Sequence, residues 1–153
     1  MPLGTPITPE MIARTRESFA RQGLMAHLGA QIAEIEAGRV TLRLPFRDEL
    51  TQQHGFFHAG GTSAIADSAG GYAAYTLFPQ GSSVLTVEFK INLINPARGD
   101  FLEATGQVIK SGRTLTICQL DVWGVTETRR THVATGLQTL ICLKETPDTQ
   151  ANS

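Results

Sequence analysis

A glycine-rich loop leads directly into a helix that carries a single carboxylate. Residues 52–61 read Gln-Gln-His-Gly-Phe-Phe-His-Ala-Gly-Gly, and Asp67 follows shortly after. The first turn of a helix has unpaired N–H groups and about half a positive charge, which suits an anion or a polarised carbonyl oxygen. The small residues Ala59, Gly60 and Gly61 would let a ligand approach those N–H groups. The segment therefore predicts a binding site at a helix N-terminus.

Asp67 is expected two turns into this helix, among small and apolar residues. A lone helical Asp is most often solvated or bonded to nearby backbone, and this alternative stays open. However, the flanks 64–66 and 68–71 offer no exposed polar face. An ionised group in apolar surroundings is costly unless it is paired or functional. The pattern therefore favours a functional carboxylate at position 67.

The elements around this segment predict an α+β fold. Thr8 and Pro9 have the residue types of an N-cap and a first helical position, and this first helix should stop near Gly23. Consecutive strands with short turns indicate an antiparallel sheet of five to six strands with helices on one face. We expect residues 24–28 to form a connector and Ser111-Gly112 a two-residue hairpin turn. The predicted strands lie at about 28–36, 39–45, 83–95, 101–110, 113–123 and 132–143, and the central helix at about 59–78.

Two adjacent glycines, Gly70 and Gly71, lie inside the predicted central helix. Each costs a helix roughly 1 kcal/mol relative to Ala. A helix tolerates this cost when a sheet, a partner helix or a ligand approaches its backbone closely. The alternative is that the helix kinks or ends at Gly70.

Composition predicts one domain over residues 1–145, followed by a polar and disordered tail over 146–153. The chain has 153 residues, with 13 Lys+Arg and 14 Asp+Glu, so its net charge of −1 gives no sign of nucleic-acid binding. Apolar runs are too short to span a membrane. Cys118 and Cys142 lie in apolar runs without metal-ligand spacing, which is typical of buried thiols in a reducing, cytoplasmic compartment.

The segment Gly55-Phe56-Phe57-His58-Ala59-Gly60, with Asp67 nine residues after His58, resembles the signature of hotdog-fold acyl-CoA thioesterases of the phenylacetic-acid-degradation (PaaI-like) family. The resemblance extends over about 28–143, and it includes the strand 86–94, the turn 95–100 and the hairpin 110–113. It implies an antiparallel sheet wrapped round a central helix, a homodimer or a dimer-of-dimers tetramer, and an active site across the dimer interface. Coenzyme A would enter as part of the substrate, with no separate cofactor and no metal.

The resemblance also implies a role for individual residues. Asp67 matches the catalytic acid, which acts as general base or as nucleophile. The N–H of Ala59 would point at the thioester carbonyl oxygen, with Gly60 beside it. Gln52 matches a polar side chain that positions water or carbonyl, and Thr86 matches a hydroxyl that approaches from the partner subunit. The family usually has Gly at position 59 and often Asn at position 52, so both positions depart from its pattern.

The remaining site candidates are basic or aromatic. We interpret His58 as a structural residue that bonds loop backbone at the helix entrance and shapes the oxyanion hole. A triad with Ser63, or a zinc site with His54, is disfavoured because the geometry or further ligands are missing. Arg98, Lys110 and Arg113 are candidates for the CoA phosphates. Aromatic residues that could face the acyl group or lie in the core are Phe56, Phe57, Tyr72 and Tyr75.

These features together predict hydrolysis of acyl-CoA to free acid and CoA. An N–H donor in an oxyanion hole is typically worth about 3 kcal/mol, and a positioned general base accelerates reaction by about 10²–10⁴-fold. Two alternatives stay open: an acyl-thioester hydratase of the same fold, and an acyl-CoA-binding module without catalysis.

Overall fold

The computed structural model describes residues 4–146 and 148. Three α-helices and six β-strands follow in the predicted order, apart from one additional short helix. The elements are α1 (Pro9–Ala20), α2 (Gly23–Leu28), β1 (Gln31–Glu36), β2 (Arg39–Pro45), α3 (Ala59–Tyr75), β3 (Ser83–Leu93), β4 (Phe101–Ser111), β5 (Leu115–Val125) and β6 (Arg130–Leu143).

The six strands form one antiparallel sheet in the order β1-β2-β4-β5-β6-β3. Helix α3 lies against one face of this sheet, and the core fills the space between them. Fully buried side chains come from the helix (Ile65), from β2 (Leu42) and from the central strands (Leu120). The predicted α+β architecture, an antiparallel sheet wrapped round a central helix, is confirmed.

Helix α1 begins as predicted, because the side chain of Thr8 accepts a hydrogen bond from the N–H of Met11 at 3.3 Å and Pro9 follows it. Residues 24–28 belong to α2 rather than to a connector; Gly29, at φ 77°, ends this helix in the left-handed region. The polar segment after β6 lies largely outside the described residues, although Asp148 accepts a hydrogen bond from Arg21 at 2.9 Å.

Helix α3 ends at Tyr75, three residues earlier than predicted. The guanidinium of Arg14 donates to the carbonyl oxygens of Tyr75 at 2.9 Å and of Phe78 at 2.6 Å, so a side chain from α1 satisfies groups that the helix end leaves free. The turn between β4 and β5 also differs, since it contains residues 112–114 rather than two residues.

The structure decides whether α3 kinks at Gly70 or is approached closely there by another element. The helix continues through Gly70, and a Cβ on Gly106 of β4 would collide with the backbone of Gly70. The prediction of a close backbone approach is therefore confirmed, and the alternative of a kink at Gly70 is wrong.

Strand β3 lies at one edge of the sheet. Its pairing with β6 contains a bulge between Thr86 and Glu88, which changes the face to which later residues point. In the sequence, apolar residues alternate with polar ones from Leu85 to Leu93, which favours one continuous apolar face, but the bulge interrupts this face. Leu85 and Val87 are each 56% exposed, and several other large apolar residues of this edge are exposed as well.

Both cysteines are buried and free. Burial raises the pKa of Cys118 to about 12, so its thiol is neutral at ordinary pH. None of the described helices is long and apolar enough to cross a membrane.

Candidate active site

The start of helix α3 is fixed by the loop before it. The N–H of His58 donates to the carbonyl of Leu50 at 2.8 Å, and the N–H of Phe57 donates to the carbonyl of Ala97 at 3.0 Å. His58 is the N-cap, and its Nδ1 accepts a hydrogen bond from the N–H of Gly60 at 2.8 Å. The imidazole therefore has the backbone-bonding position that the sequence predicts for it.

This N-cap reduces the number of free N–H donors at the helix start. The N–H of Gly60 donates to His58, so Gly60 lies beside Ala59 at the helix start without a free donor of its own. The N–H of Ala59 makes no hydrogen bond to any residue that the structure describes. Ala59 is thus the first residue of the helix, and its N–H is free of partners in the described chain.

A cavity of about 340 Å³ opens beside this donor, between the helix start and the end of β3. Gln52 lines it together with Ala59 and Phe56. The Oε1 atom of Gln52 accepts a hydrogen bond from the N–H of His54, and its Nε2 has no partner within residues 4–146 and 148. An amide donor and a backbone donor thus line one cavity.

The carboxylate of Asp67 lies half-buried two turns further along α3. Its Oδ1 accepts a hydrogen bond from the hydroxyl of Thr86 at 2.7 Å and another from Nε2 of Gln138 at 2.7 Å. Its Oδ2 accepts none from the described part of the chain. The resemblance implied that the Thr86 hydroxyl approaches from a partner subunit, but the structure places it on Asp67 of its own chain. The bulge that follows Thr86 allows this, since Thr86 and its sheet neighbour Leu140 face the helix.

A second cavity, of about 280 Å³, lies beside this carboxylate. Its wall includes Gln22 and Ser68, which are joined by a hydrogen bond of 3.1 Å from the Ser68 hydroxyl to the Gln22 Oε1. Tyr72 also lines it, and burial raises the pKa of Tyr72 to about 12, so this hydroxyl stays neutral. Sequence reasoning missed Gln22 and Gln138, because only the fold brings them to Asp67, and it did not select Ser68, the chain neighbour of Asp67.

The aromatic candidates overlap between site and core. Phe56 and Phe57 line the cavity at the helix start, and Tyr72 lines the cavity beside Asp67. Phe57, Tyr72 and Tyr75 are also buried members of the hydrophobic core.

The basic candidates lie at opposite ends of β4. Arg98 precedes this strand and stacks over the ring of Phe56 at 4.3 Å, whereas Lys110 and Arg113 lie at its far end. Eleven residues of strand span about 35 Å. One chain therefore does not bring the three cations together. A basic residue that the sequence analysis did not select, Arg129, shares a cavity of about 300 Å³ with Arg98.

The geometry of the described residues does not support a catalytic triad or a metal site. No hydrogen bond joins His58 to Ser63 within the described chain, so the geometry gives no support to a triad with Asp67. Among the described residues there is also no cluster of three or more His, Cys, Asp or Glu side chains that could hold a metal ion.

Helix geometry separates the free donor from the carboxylate. Ala59 and Asp67 are eight residues apart in α3, which corresponds to about 12 Å along the axis. Both groups would have to lie within about 3 Å of the reacting atoms to act together. Each chain therefore holds two separate groups of candidate residues, which we name the oxyanion half (Gln52 and Ala59) and the carboxylate half (Asp67 and Thr86).

Comparison with known proteins identifies the class. Residues 54–130 match the thioesterase superfamily. A crystal structure of a thioesterase family protein from Silicibacter pomeroyi is 45% identical; the match covers 88% of this chain and 98% of that one, with a TM-score of 0.85. The proofreading thioesterase EntH of Klebsiella pneumoniae is 24% identical over 104 residues, which are 68% of this chain and 76% of that protein.

The fold has a further match in the PaaI protein from the phenylacetic acid degradation operon of E. coli. That structure has a TM-score of 0.80 and 20% identity, over 92% of this chain and 98% of that one, so the likeness concerns the fold. The chain belongs to the thioesterase superfamily and has the hotdog fold, and the resemblance found in the sequence is confirmed. Its chemistry is thioester hydrolysis.

Proposed function

We propose that this protein hydrolyses acyl-CoA thioesters to free acid and CoA, in active sites that two copies of the chain build together. The observation that carries the proposal is the division of the chain into two half-sites. A free N–H at Ala59 and a half-buried carboxylate at Asp67 lie about 12 Å apart on one helix. A two-fold arrangement in which the oxyanion half of one chain meets the carboxylate half of another would unite them.

Strand β3 supports this arrangement. It is an edge strand with exposed apolar side chains, and such an edge is normally covered by another chain. The oxyanion-half cavity includes Leu93 at the end of β3, and the carboxylate-half cavity includes Val84 at its beginning. A two-fold axis through the middle of β3 exchanges its ends, so each oxyanion half would face a carboxylate half.

The proposed mechanism assigns one task to each group. The N–H of Ala59 and the amide of Gln52 donate to the thioester carbonyl oxygen and stabilise the negative charge that develops on it. Oδ2 of Asp67 takes a proton from water, and the hydroxide forms a bond to the carbonyl carbon. The C–S bond then breaks, and the departing thiolate of CoA receives the proton from Asp67.

The same carboxylate could instead attack the carbonyl carbon and form a mixed anhydride that water hydrolyses. A single turnover in H₂¹⁸O distinguishes general-base catalysis from an anhydride that water opens at the Asp67 carbonyl. General-base catalysis places ¹⁸O in the product acid, whereas that anhydride route leaves ¹⁸O on Asp67 and places ¹⁶O from its carboxylate in the acid of the first turnover.

The cavities and charges support an acyl-CoA substrate. The cavity beside Asp67 would take an acyl group of moderate size, with Gln22 and Ser68 as polar groups in its wall. The same two-fold axis would bring Arg98 of one chain towards the end of the sheet at which Lys110 and Arg113 of the other lie. These cations are the proposed contacts for the CoA phosphates.

The test is release of free thiol from aliphatic C2–C16 and aromatic acyl-CoAs. We expect Asp67→Asn to lower kcat by at least about 10²-fold while the protein remains folded and binds substrate. Asp121→Asn is the matched control, because Asp121 is paired with His132 at 2.8 Å, away from both cavities. Unchanged turnover in Asp67→Asn would contradict the mechanism, and binding without turnover by the wild type would indicate a binding module.

A further inference from the structure

Gln138 of β6 lies directly against the Asp67 carboxylate. Its side chain is 1% exposed, and its Nε2 lies 2.7 Å from Oδ1 of Asp67, 3.1 Å from the carbonyl oxygen of Asp67 and 3.0 Å from the hydroxyl oxygen of Thr86. Thr86 in turn donates to the same Oδ1. One buried amide thus contacts the carboxylate both directly and through a hydroxyl.

The orientation of this amide follows from its surroundings. Rotation by 180° would place Oε1 against a carboxylate oxygen, so the donor end must face Asp67. The Oε1 atom lies on the other side, towards Gly70, and has no hydrogen-bond partner in the described chain. A side chain at position 70 would collide with this oxygen.

The oxygen end of this amide costs stability. Its Oε1 is desolvated and unpaired, which costs free energy, and its neighbours include the apolar Leu120 and Leu140. An apolar side chain of similar size would remove that cost. Core packing therefore does not explain the amide, and its Nε2 donor must have another role.

We propose that Gln138 is a positioning residue for the catalytic carboxylate. By holding Oδ1 directly and through Thr86, it fixes the plane of the Asp67 carboxyl group and leaves Oδ2 as the oxygen presented to the reacting water. Gln138 does not touch the substrate and acts only through Asp67. The inference rests on the proposed function, because it requires that Asp67 acts on a thioester.

Two variants separate positioning from a structural role. Gln138→Met removes the donor and the unpaired oxygen while keeping the side-chain length. We expect its unfolding in urea to stay cooperative, because removal of the unpaired oxygen offsets the loss of the Nε2 hydrogen bonds. We also expect kcat to fall at least about tenfold and KM to stay within about twofold. Gln119→Met is the control, since Gln119 donates to Thr135 at 2.9 Å on the opposite face of the sheet.

Gln138→Glu adds a pH readout. When protonated, the new carboxyl donates an O–H to Asp67 as the amide does; when ionised, it repels the carboxylate. The activity of Gln138→Glu relative to the wild type should therefore fall as pH rises, whereas the ratio for Gln138→Met should stay flat. The pH dependence of Gln138→Glu also tests the positioning role if Gln138→Met does not fold.

The outcomes distinguish the two proposals. Full activity in Gln138→Met, or a Gln138→Glu variant whose relative activity does not change with pH, would overturn the positioning role. Full activity in Asp67→Asn would overturn the proposed function itself. Loss of activity in Asp67→Asn together with a fully active Gln138→Met would overturn only the role of Gln138.

Discussion

At the residue scale, the two groups with the clearest chemistry are a backbone N–H and a carboxylate. The sequence predicts both, because the loop glycines and the isolated Asp67 have local signals. It does not predict Gln138, which lies 71 positions from Asp67 and looks like any polar residue in a strand. The family resemblance places Gly60 beside Ala59, and it does not reveal that His58 accepts the hydrogen bond of the Gly60 N–H.

Ala59→Pro tests the backbone donor without removing the helix. Proline is favoured at the first helical position and requires an extended residue before it, and His58 is extended at φ −65° and ψ 141°. The variant should fold as the wild type by circular dichroism, and its kcat should fall about 10²–10³-fold because one oxyanion donor is lost. Ala59→Gly keeps the N–H and should retain activity within a few fold. Equal rates for the two variants would exclude this donor from the mechanism.

Cys118 gives a prediction for pH. Burial holds its thiol neutral by raising the pKa from 9.0 to about 12. The contribution of this thiol to stability is therefore complete below about pH 9 and is lost as the pH rises towards 12. Native protein should resist alkylation at Cys118 at pH 8, and unfolded protein should react, as peptide mapping would detect. Stoichiometric labelling of native Cys118 would contradict its burial.

At the scale of elements, the packing of α3 on the sheet depends on glycines in both partners. The sequence predicts a close approach from the pair at 70 and 71, yet it does not reveal which glycine is at the contact or that Gly106 lies opposite. That information depends on the register of β4 under the helix, which is a long-range property. For the same reason, the alternation of apolar residues does not reveal the bulge that follows Thr86.

The adjacent glycines provide a matched test of this packing. A Cβ on Gly70 would lie 2.6 Å from Cδ2 of Leu120, whereas a Cβ on Gly71 would lie 3.8 Å from Cδ2 of Leu140. Gly70→Ala should lower the free energy of unfolding by about 1–3 kcal/mol or more through overpacking. Gly71→Ala should be neutral or stabilise by up to about 1 kcal/mol, because Ala is the better helix former. Urea denaturation of both variants measures this, and equal stabilities would contradict the close contact.

At the scale of the whole molecule, one chain has all the residue types for thioester hydrolysis, but they lie in two separate half-sites. The sequence alone placed Ala59 and Asp67 on one helix, and the family resemblance implied a site across an interface. The structure adds that the two cavities involve opposite ends of the edge strand β3. A two-fold dimer through this edge would join the oxyanion half of each chain to the carboxylate half of the other.

Mixing two inactive variants tests this central claim most directly. Asp67→Asn keeps the oxyanion half, and Ala59→Pro keeps the carboxylate half, so a dimer with one chain of each has one intact site out of two. After unfolding and refolding at equal amounts, half of the dimers should be mixed, and thiol release should recover to about one quarter of the wild-type rate. Each variant refolded alone should remain inactive. A mixture that stays as inactive as its components would show that each active site lies within a single chain.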